Sequence, residues 1–379
     1  MKKLMCVLLC LSMVFAMAAC GTSSSKSVET SAPADEATKA VQEAETTAEL
    51  SLDDPEYWAK RGAACPDDEL VIYSAVFEDQ TEAVCAAFEE ATGIKTSCVV
   101  LGGGEILARV RAEKENATAS LWFGGPCDSH ITAKNEGLLL QYETEFADVV
   151  APKYKDVDNY WVGTYIGYVG FVINQERIAE LGVKSPESWE DLLQEGLAGE
   201  IMFASPTASS TGYVILATVL QLMGEEEGWK YMEALDANVM QYTERGSACI
   251  TSVISGECAV GICFIHDAIT KIEGNPGSEA FTTYAVPSEG TGYETGAMAI
   301  LADGPNLEAA KVFYDWALTA EAQEINQVYG AYQFLTNPEA QNPPQTASIA
   351  SAETIEYDTT WAGNNKEDFQ AKWAGITGR

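Results

Sequence analysis

The pattern of apolar and polar positions divides the chain into three stretches. Residues 4–19 form a nearly unbroken apolar run, and residues 22–64 are rich in Ser, Thr, Ala and Glu with few large apolar side chains. Beyond them, short apolar runs alternate with segments of helical period. Leu70-Val71-Ile72-Tyr73 predicts a buried strand. Residues 81–92 turn Val84 and Phe88 to one helical face and stop at Gly93. Residues 95–101 predict a second strand, 105–115 a helix with Ile106, Leu107 and Val110 inward, and 120–123 a third strand. Asp128 is expected to cap a third helix ending at Gly137, with His130 solvent-exposed on it and without a role. This βαβαβα order predicts a parallel, doubly wound sheet. Such sheets bind ligands beyond the carboxyl ends of their strands. The loops placed there are 74–79, Gly102-Gly103-Gly104 and Gly124-Gly125-Pro126. All are small or turn-forming, as close approach of backbone to a ligand requires.

A second block repeats the theme. Residues 168–174 and 201–204 predict strands, and 186–193 a capped helix. The strand at 201–204 runs into a Ser/Thr-rich turn, 205–211, and then a long apolar helix through Met223. That turn, with Ser209, Ser210 and Thr211, is either an anion cradle of backbone N–H groups and helix dipole or a plain N-cap. After a strand at 239–243, Arg245 either pairs a phosphate bidentately or offsets Glu244 at the surface. Ser247 either caps the next helix or meets ligand. The apolar strand 259–265 delivers His266 and Asp267 at its carboxyl end. There His266 can donate to an oxygen while Asp267 accepts from hydroxyls, or the pair can simply open a helix.

The N-terminal run follows Lys2 and Lys3 and ends at Cys20, a length and layout that fit a signal peptide better than a membrane span. Met17-Ala18-Ala19-Cys20 resembles a bacterial lipobox, with Met17 where leucine is usual. The resemblance implies a lipid on Cys20. Residues 1–19 are then signal peptide and 20–65 a tether too polar to offset its ordering entropy, with a short surface helix at 53–61 carrying Tyr57 and Trp58. The net charge of −35 argues against nucleic acid or an anionic membrane surface as partner. It does not forbid an anionic ligand, because a local site can be positive. Cys65, Cys85, Cys98, Cys127, Cys249, Cys258 and Cys263 show no paired CxxC spacing and are expected to be mostly free, buried thiols, which suggests a reducing habitat.

Several motifs carry a family resemblance. They are Val71-Ile72-Tyr73-Ser74, the stretch 87–95, Gly124-Gly125-Pro126 with Glu136-Gly137-Leu138-Leu139, Ser188-Trp189-Glu190-Asp191-Leu192, the stretch 238–248, Gly290-Thr291-Gly292-Tyr293-Glu294, and Thr319-Ala320-Glu321-Ala322-Gln323. In this order and spacing the chain resembles family 1 extracellular solute-binding proteins of the ferric-iron type. The resemblance implies a type II periplasmic-binding-protein fold: two α/β lobes, each a mostly parallel doubly wound sheet, with a ligand cleft between them. It also implies an ABC importer permease as partner and hinge closure around a small molecule; no cofactor and no metal site are expected. The expected division is residues 66–162 and 289–335 in one lobe, and 163–288 and 336–379 in the other.

Ferric-iron members carry adjacent tyrosines. This chain has 16 tyrosines and no Tyr-Tyr pair, with Phe264-Ile265-His266-Asp267 in the corresponding place. In the hexose-phosphate branch a His-Asp pair and a downstream glutamate contact the ligand. Here those are His266, Asp267 and Glu294, with Glu289 the weaker candidate for the third role. Candidate ligand residues are therefore Ser74, Gly103, Gly104, Gly125, Ser209, Ser210, Thr211, Arg245, Ser247, His266, Asp267 and Glu294. A hexose phosphate comes first, a phosphonate is also accommodated, and ferric iron is the alternative.

An enzyme is not expected. There is no HExxH or GxSxG motif, and two histidines leave little room for a Ser-His-Asp or Cys-His mechanism. The glycine spacing at 290–296 is wrong for a dinucleotide loop. The lipobox reading has a direct test. Cys20→Ser is expected to move the protein from the membrane fraction to the soluble fraction, and a variant that stays with the membrane would refute the anchor.

Overall fold

The computed structural model describes residues 54–378. The expected signal peptide, Cys20 and the expected tether up to residue 53 lie outside the described residues. Residues 55–64 are not tether. Asp54 accepts from Glu56 N–H at 2.9 Å, Pro55 opens the first turn, and α1 (Pro55–Ala64) follows. Trp58 on α1 is buried beside Phe146, and Arg61 pairs with the buried Asp315. The predicted surface helix is thus longer than expected and part of the folded body.

Next come β1 (Glu69–Ser74), α2 (Glu78–Thr92), β2 (Lys95–Val100), α3 (Gly103–Ala112), β3 (Leu121–Pro126) and α4 (Cys127–Asn135). β1 pairs in parallel with both β2 and β3. α2 ends as its pattern requires, at Gly93 in the left-handed region, whose N–H bonds Glu89 O. α4 departs from expectation. Asp128 lies inside its first turn, buried and ion-paired, rather than capping it. His130 is fully buried and stacks on Trp122 at 4.1 Å between centroids. Burial pulls its pKa down to about 3, so the imidazole is neutral.

The chain then enters β4 (Val162–Asn174) and α5 (Gln175–Leu181). The helix expected at 186–193 is only a 3₁₀ turn, Glu190–Leu193. β5 (Ile201–Ala204), α6 (Ser210–Met223), α7 (Glu225–Asp236), β6 (Val239–Thr243), α8 (Ala248–Ile254), β7 (Val260–Phe264) and α9 (Ile265–Glu273) form a second parallel unit, with β5 between β6 and β7. β8 (Thr282–Ala285), β9 (Tyr293–Ile300), α10 (Leu307–Trp316), α11 (Ala320–Glu324), β10 (Phe334–Leu335), α12 (Thr359–Asn364) and α13 (Lys366–Thr377) complete the order.

The sheet runs β2-β1-β3-β9-β4-β7-β5-β6. β4 and β9 cross between its halves. Residues 162–168 of β4 pair antiparallel with β9, and 169–173 with β7. The change of half therefore falls within β4, not at its start. Each half has apolar cores on both faces. Leu70, Phe88 and Phe313 lie on one side of the first sheet, with Tyr73, Ile106 and Trp122 on the other. Phe171, Phe203 and Trp189 fill one side of the second sheet, and Met202, Cys249 and Cys263 the other. The tail spans both halves: Asn364 bonds Asn135 on α4, while Phe369 and Trp373 enter the second core. Cys85 and Cys98 are joined as a disulfide, a correction to the expectation of free thiols. Cys65, Cys127, Cys249, Cys258 and Cys263 are free, and all but Cys65 are buried. Among the described residues no helix is long and apolar enough to cross a membrane.

Phe203, on the middle strand of the second parallel unit, is wholly buried and meets Tyr242 edge-on at 5.0 Å. Phe203→Ala is expected to cost about 3–5 kcal/mol, read as a lower urea midpoint at unchanged m-value.

Candidate functional site

The strand-to-helix junctions of both halves open on one cleft of about 580 Å³. This follows from the topology, because parallel strands present their carboxyl ends, and the helix N-termini that follow, to one side. The N-termini of α2, α3, α4, α6 and α9 all reach its wall. The first N–H groups of each helix have no intrahelical acceptor, and the dipole adds partial positive charge there. Among the described residues Arg245 is the one basic side chain in the wall, and it is mostly exposed. Its partner across the cleft is Glu105, 3.8 Å away, rather than Glu244.

Gly103 and Gly104 are the first two residues of α3 and line the cleft. The preceding N–H, of Gly102, is taken by the Glu105 carboxylate at 2.7 Å. Gly124 and Gly125 both sit at φ +81°. A Cβ on Gly125 would come within 2.9 Å of the Ala75 Cβ, and the Gly125 N–H donates to Tyr165 Oη at 3.0 Å. Ser209, Ser210 and Thr211 line the opposite wall. Ser209 is at the cap position of α6, yet its hydroxyl makes no capping bond. Ser247 likewise precedes α8 without capping it and faces the cleft. Ser74 is the exception among the expected residues. Its hydroxyl is buried against Thr81 Oγ1 at 2.7 Å and it does not line the cleft.

The cleft wall also carries a buried acidic cluster. His266 Nε2 stands 3.5 Å from both Asp267 Oδ1 and Glu294 Oε1, and its Nδ1 has no partner. Glu294 pairs across β9 and β4 with Gly167. A Cβ at Gly167 would sit 2.6 Å from His266 Nδ1 and 2.8 Å from Glu294 Oε1, so the strand glycine makes the room both side chains occupy. Burial lowers the His266 pKa, with Asp267 opposing. Burial also raises the Asp267 carboxyl. The Glu294 carboxyl is pushed well above the usual range, first by burial and then by Asp267 and Asp128. Glu289 is exposed, accepts from Trp189 N–H at 3.3 Å, and lies off the cleft. Of the two glutamates, Glu294 is the one that lies in the cleft.

Tyr165, Gln80, Gln333 and Glu105 also line the cleft and were not anticipated. Tyr165 lies in a strand whose interior glycines signal close approach by other groups, and that pattern could have marked it.

Residues 128–351 match the family model for bacterial extracellular solute-binding protein. An uncharacterized protein of Haemophilus influenzae is 36% identical over 307 residues, 79% of this chain and 87% of that one. The periplasmic binding protein AfuA from Actinobacillus pleuropneumoniae, solved with exogenous fructose-6-phosphate bound, superposes with a TM-score of 0.77 at 36% identity, covering 82% of this chain and 98% of that one. A ferric binding protein from Campylobacter jejuni superposes with a TM-score of 0.71 at 20% identity, covering 82% of this chain and 99% of that one, a likeness of fold. With the two-part sheet, the shared cleft and these relatives together, the chain belongs to the bacterial extracellular solute-binding proteins, the type II binding proteins that serve ABC importers rather than catalyse a reaction.

Proposed function

We propose that the ligand is a small phosphorylated organic molecule, a hexose phosphate before a phosphonate. The single observation that carries this reading is that one cleft is lined both by helix N-termini with free hydroxyls and by a buried His-Asp-Glu cluster. Helix N-termini with Ser209, Ser210 and Thr211 suit a phosphate. Asp267 and Glu294, with His266 between them, suit hydroxyls. The likeness to a protein solved with fructose-6-phosphate supports the same assignment. Ferric iron is less well served. Among the described residues Tyr165 is the one tyrosine in the cleft wall, and its hydroxyl already accepts from Gly125. Ligand touching both halves would bias the molecule to a closed form that docks on the permease. Cys20 would hold it at the outer face of the cell membrane through a lipid, with residues 21–53 as tether.

Titration calorimetry against fructose 6-phosphate, glucose 6-phosphate, 2-aminoethylphosphonate and ferric citrate tests this directly. Heat from a sugar phosphate and none from ferric citrate is expected, and the reverse would refute the reading. Asp267→Ala is expected to weaken the sugar phosphate by about 1.5–3 kcal/mol while hardly changing inorganic phosphate.

The buried carboxyl of Glu294 also makes a stability prediction. Its folded pKa is raised, so the folded state holds a proton that the unfolded state releases first. Its burden on stability is absent below the unfolded value of about 4.3 and grows as pH rises through it toward the folded value. Glu294→Gln removes that burden. Its melting temperature without ligand should exceed wild type by a margin that widens from pH 4 to neutrality, while sugar-phosphate affinity falls. A margin independent of pH would contradict the assignment.

A further inference from the structure

Lys366, the first residue of α13, is buried. A cation at a helix N-terminus opposes the helix dipole, and burial strips its hydration as well. Its surroundings show how it is held. The ammonium pairs with Asp128 and donates to Ser129 Oγ at 2.7 Å. Both partners lie in the first turn of α4 and are buried. Ser129 Oγ is 3.0 Å from Ser210 Oγ, at the start of α6 in the other half of the sheet. Ser210 lines the cleft, whereas Lys366, Asp128 and Ser129 stand behind it. A Cβ on Gly103 would come 3.2 Å from Ser210 Oγ, so the N-terminus of α3 meets the same point.

The hydrogen-bond inventory gives this chain of groups a direction. An ammonium only donates, so Ser129 Oγ must accept from Lys366. The hydrogen of Ser129 then has two acceptors nearby, Ser210 Oγ at 3.0 Å and Asp128 Oδ2 at 3.5 Å. The second is too long for a sound O–H···O bond, so the hydrogen goes to Ser210. Having accepted it, Ser210 keeps its own hydrogen free for the cleft.

We infer that Lys366 is a positioning residue for the anionic group of the ligand. It polarises a two-hydroxyl relay, Lys366 to Ser129 to Ser210, so that Ser210 meets an anion as a donor. The inference rests on the phosphorylated-ligand reading above. Asp128 balances the ammonium, so the relay supplies direction without net charge. It also joins both halves of the sheet and the C-terminal tail at the floor of the anion end.

The test is calorimetry with fructose 6-phosphate on Ser129→Ala, Ser210→Ala, the pair of them, and Asp128→Asn with Lys366→Met. The last combination removes both buried charges together, so that neither is left unpaired. Circular dichroism and melting temperature check the fold of each. Each variant is expected to bind about tenfold more weakly, the loss of one hydrogen bond to a charged group. The Ser129/Ser210 pair should bind no more weakly than Ser210→Ala alone, because the relay acts through that one hydroxyl. Lys366→Arg, which keeps a donor, should retain affinity that Lys366→Met loses. Losses that multiply in the pair, or a loss confined to Ser210→Ala, would overturn the relay and leave the phosphate reading standing. Wild-type protein that binds neither fructose 6-phosphate nor 2-aminoethylphosphonate would overturn both.

Discussion

One strand carries both halves of this molecule. β4 is hydrogen-bonded to β9 and β10 along its first part and to β7 and β8 along its second. A shift of one residue in its register would turn every side chain to the wrong face in two sheets at once. The positions of the cleft walls follow from that constraint. Tyr165 and Gly167 sit where β4 passes beneath the cleft. Tyr165 holds the Gly125 turn of the first half, and Gly167 leaves space for His266 of the second. The segment that joins the halves therefore also contributes to the wall of the cleft.

The chain is strongly acidic, with a net charge of −35, and yet its cleft has an end fit for an anion. The two facts are compatible because the positive potential there comes from the backbone. Helix N-termini project fixed partial charges over a few ångströms, whereas the surface carboxylates act through a screened medium. Arg245 contributes little by itself, exposed as it is and drawn toward Glu105. The buried ammonium of Lys366 is balanced by Asp128 on the spot.

The opposite end shows what such a site demands of the fold. Glu294, Asp267 and His266 are crowded together with few hydrogen bonds, and burial pushes both carboxyls up and the imidazole down. Buried titratable groups left with few partners cost stability. The dense apolar cores on both sheet faces tolerate it.

Much of the fold was legible in the sequence, because local pattern determines strands and helices when burial has a regular period. The runs at 70–73 and 201–204, the helix stop at Gly93 and the emergence of His266 after an apolar strand needed no long-range information. The glycine loops and the Ser209-Ser210-Thr211 turn fall at strand-to-helix junctions for the same reason, and the structure places them in the cleft wall. Position along a helix, however, does not reveal what another segment brings. His130 looked exposed until Trp122 was found against it, and Asp128 looked like a cap until Lys366 arrived from 238 residues away. Ser74 had the right residue type in the right loop, but Thr81 claimed its hydroxyl. Glu294 and Glu289 were separated only by the pairing of β9 with β4. The sequence by itself determined which elements form and which junctions face the ligand, since those depend on neighbours a few residues apart. The tertiary structure alone decided which polar groups are already satisfied and which remain free to bind, because hydrogen bonds between distant segments are set by packing.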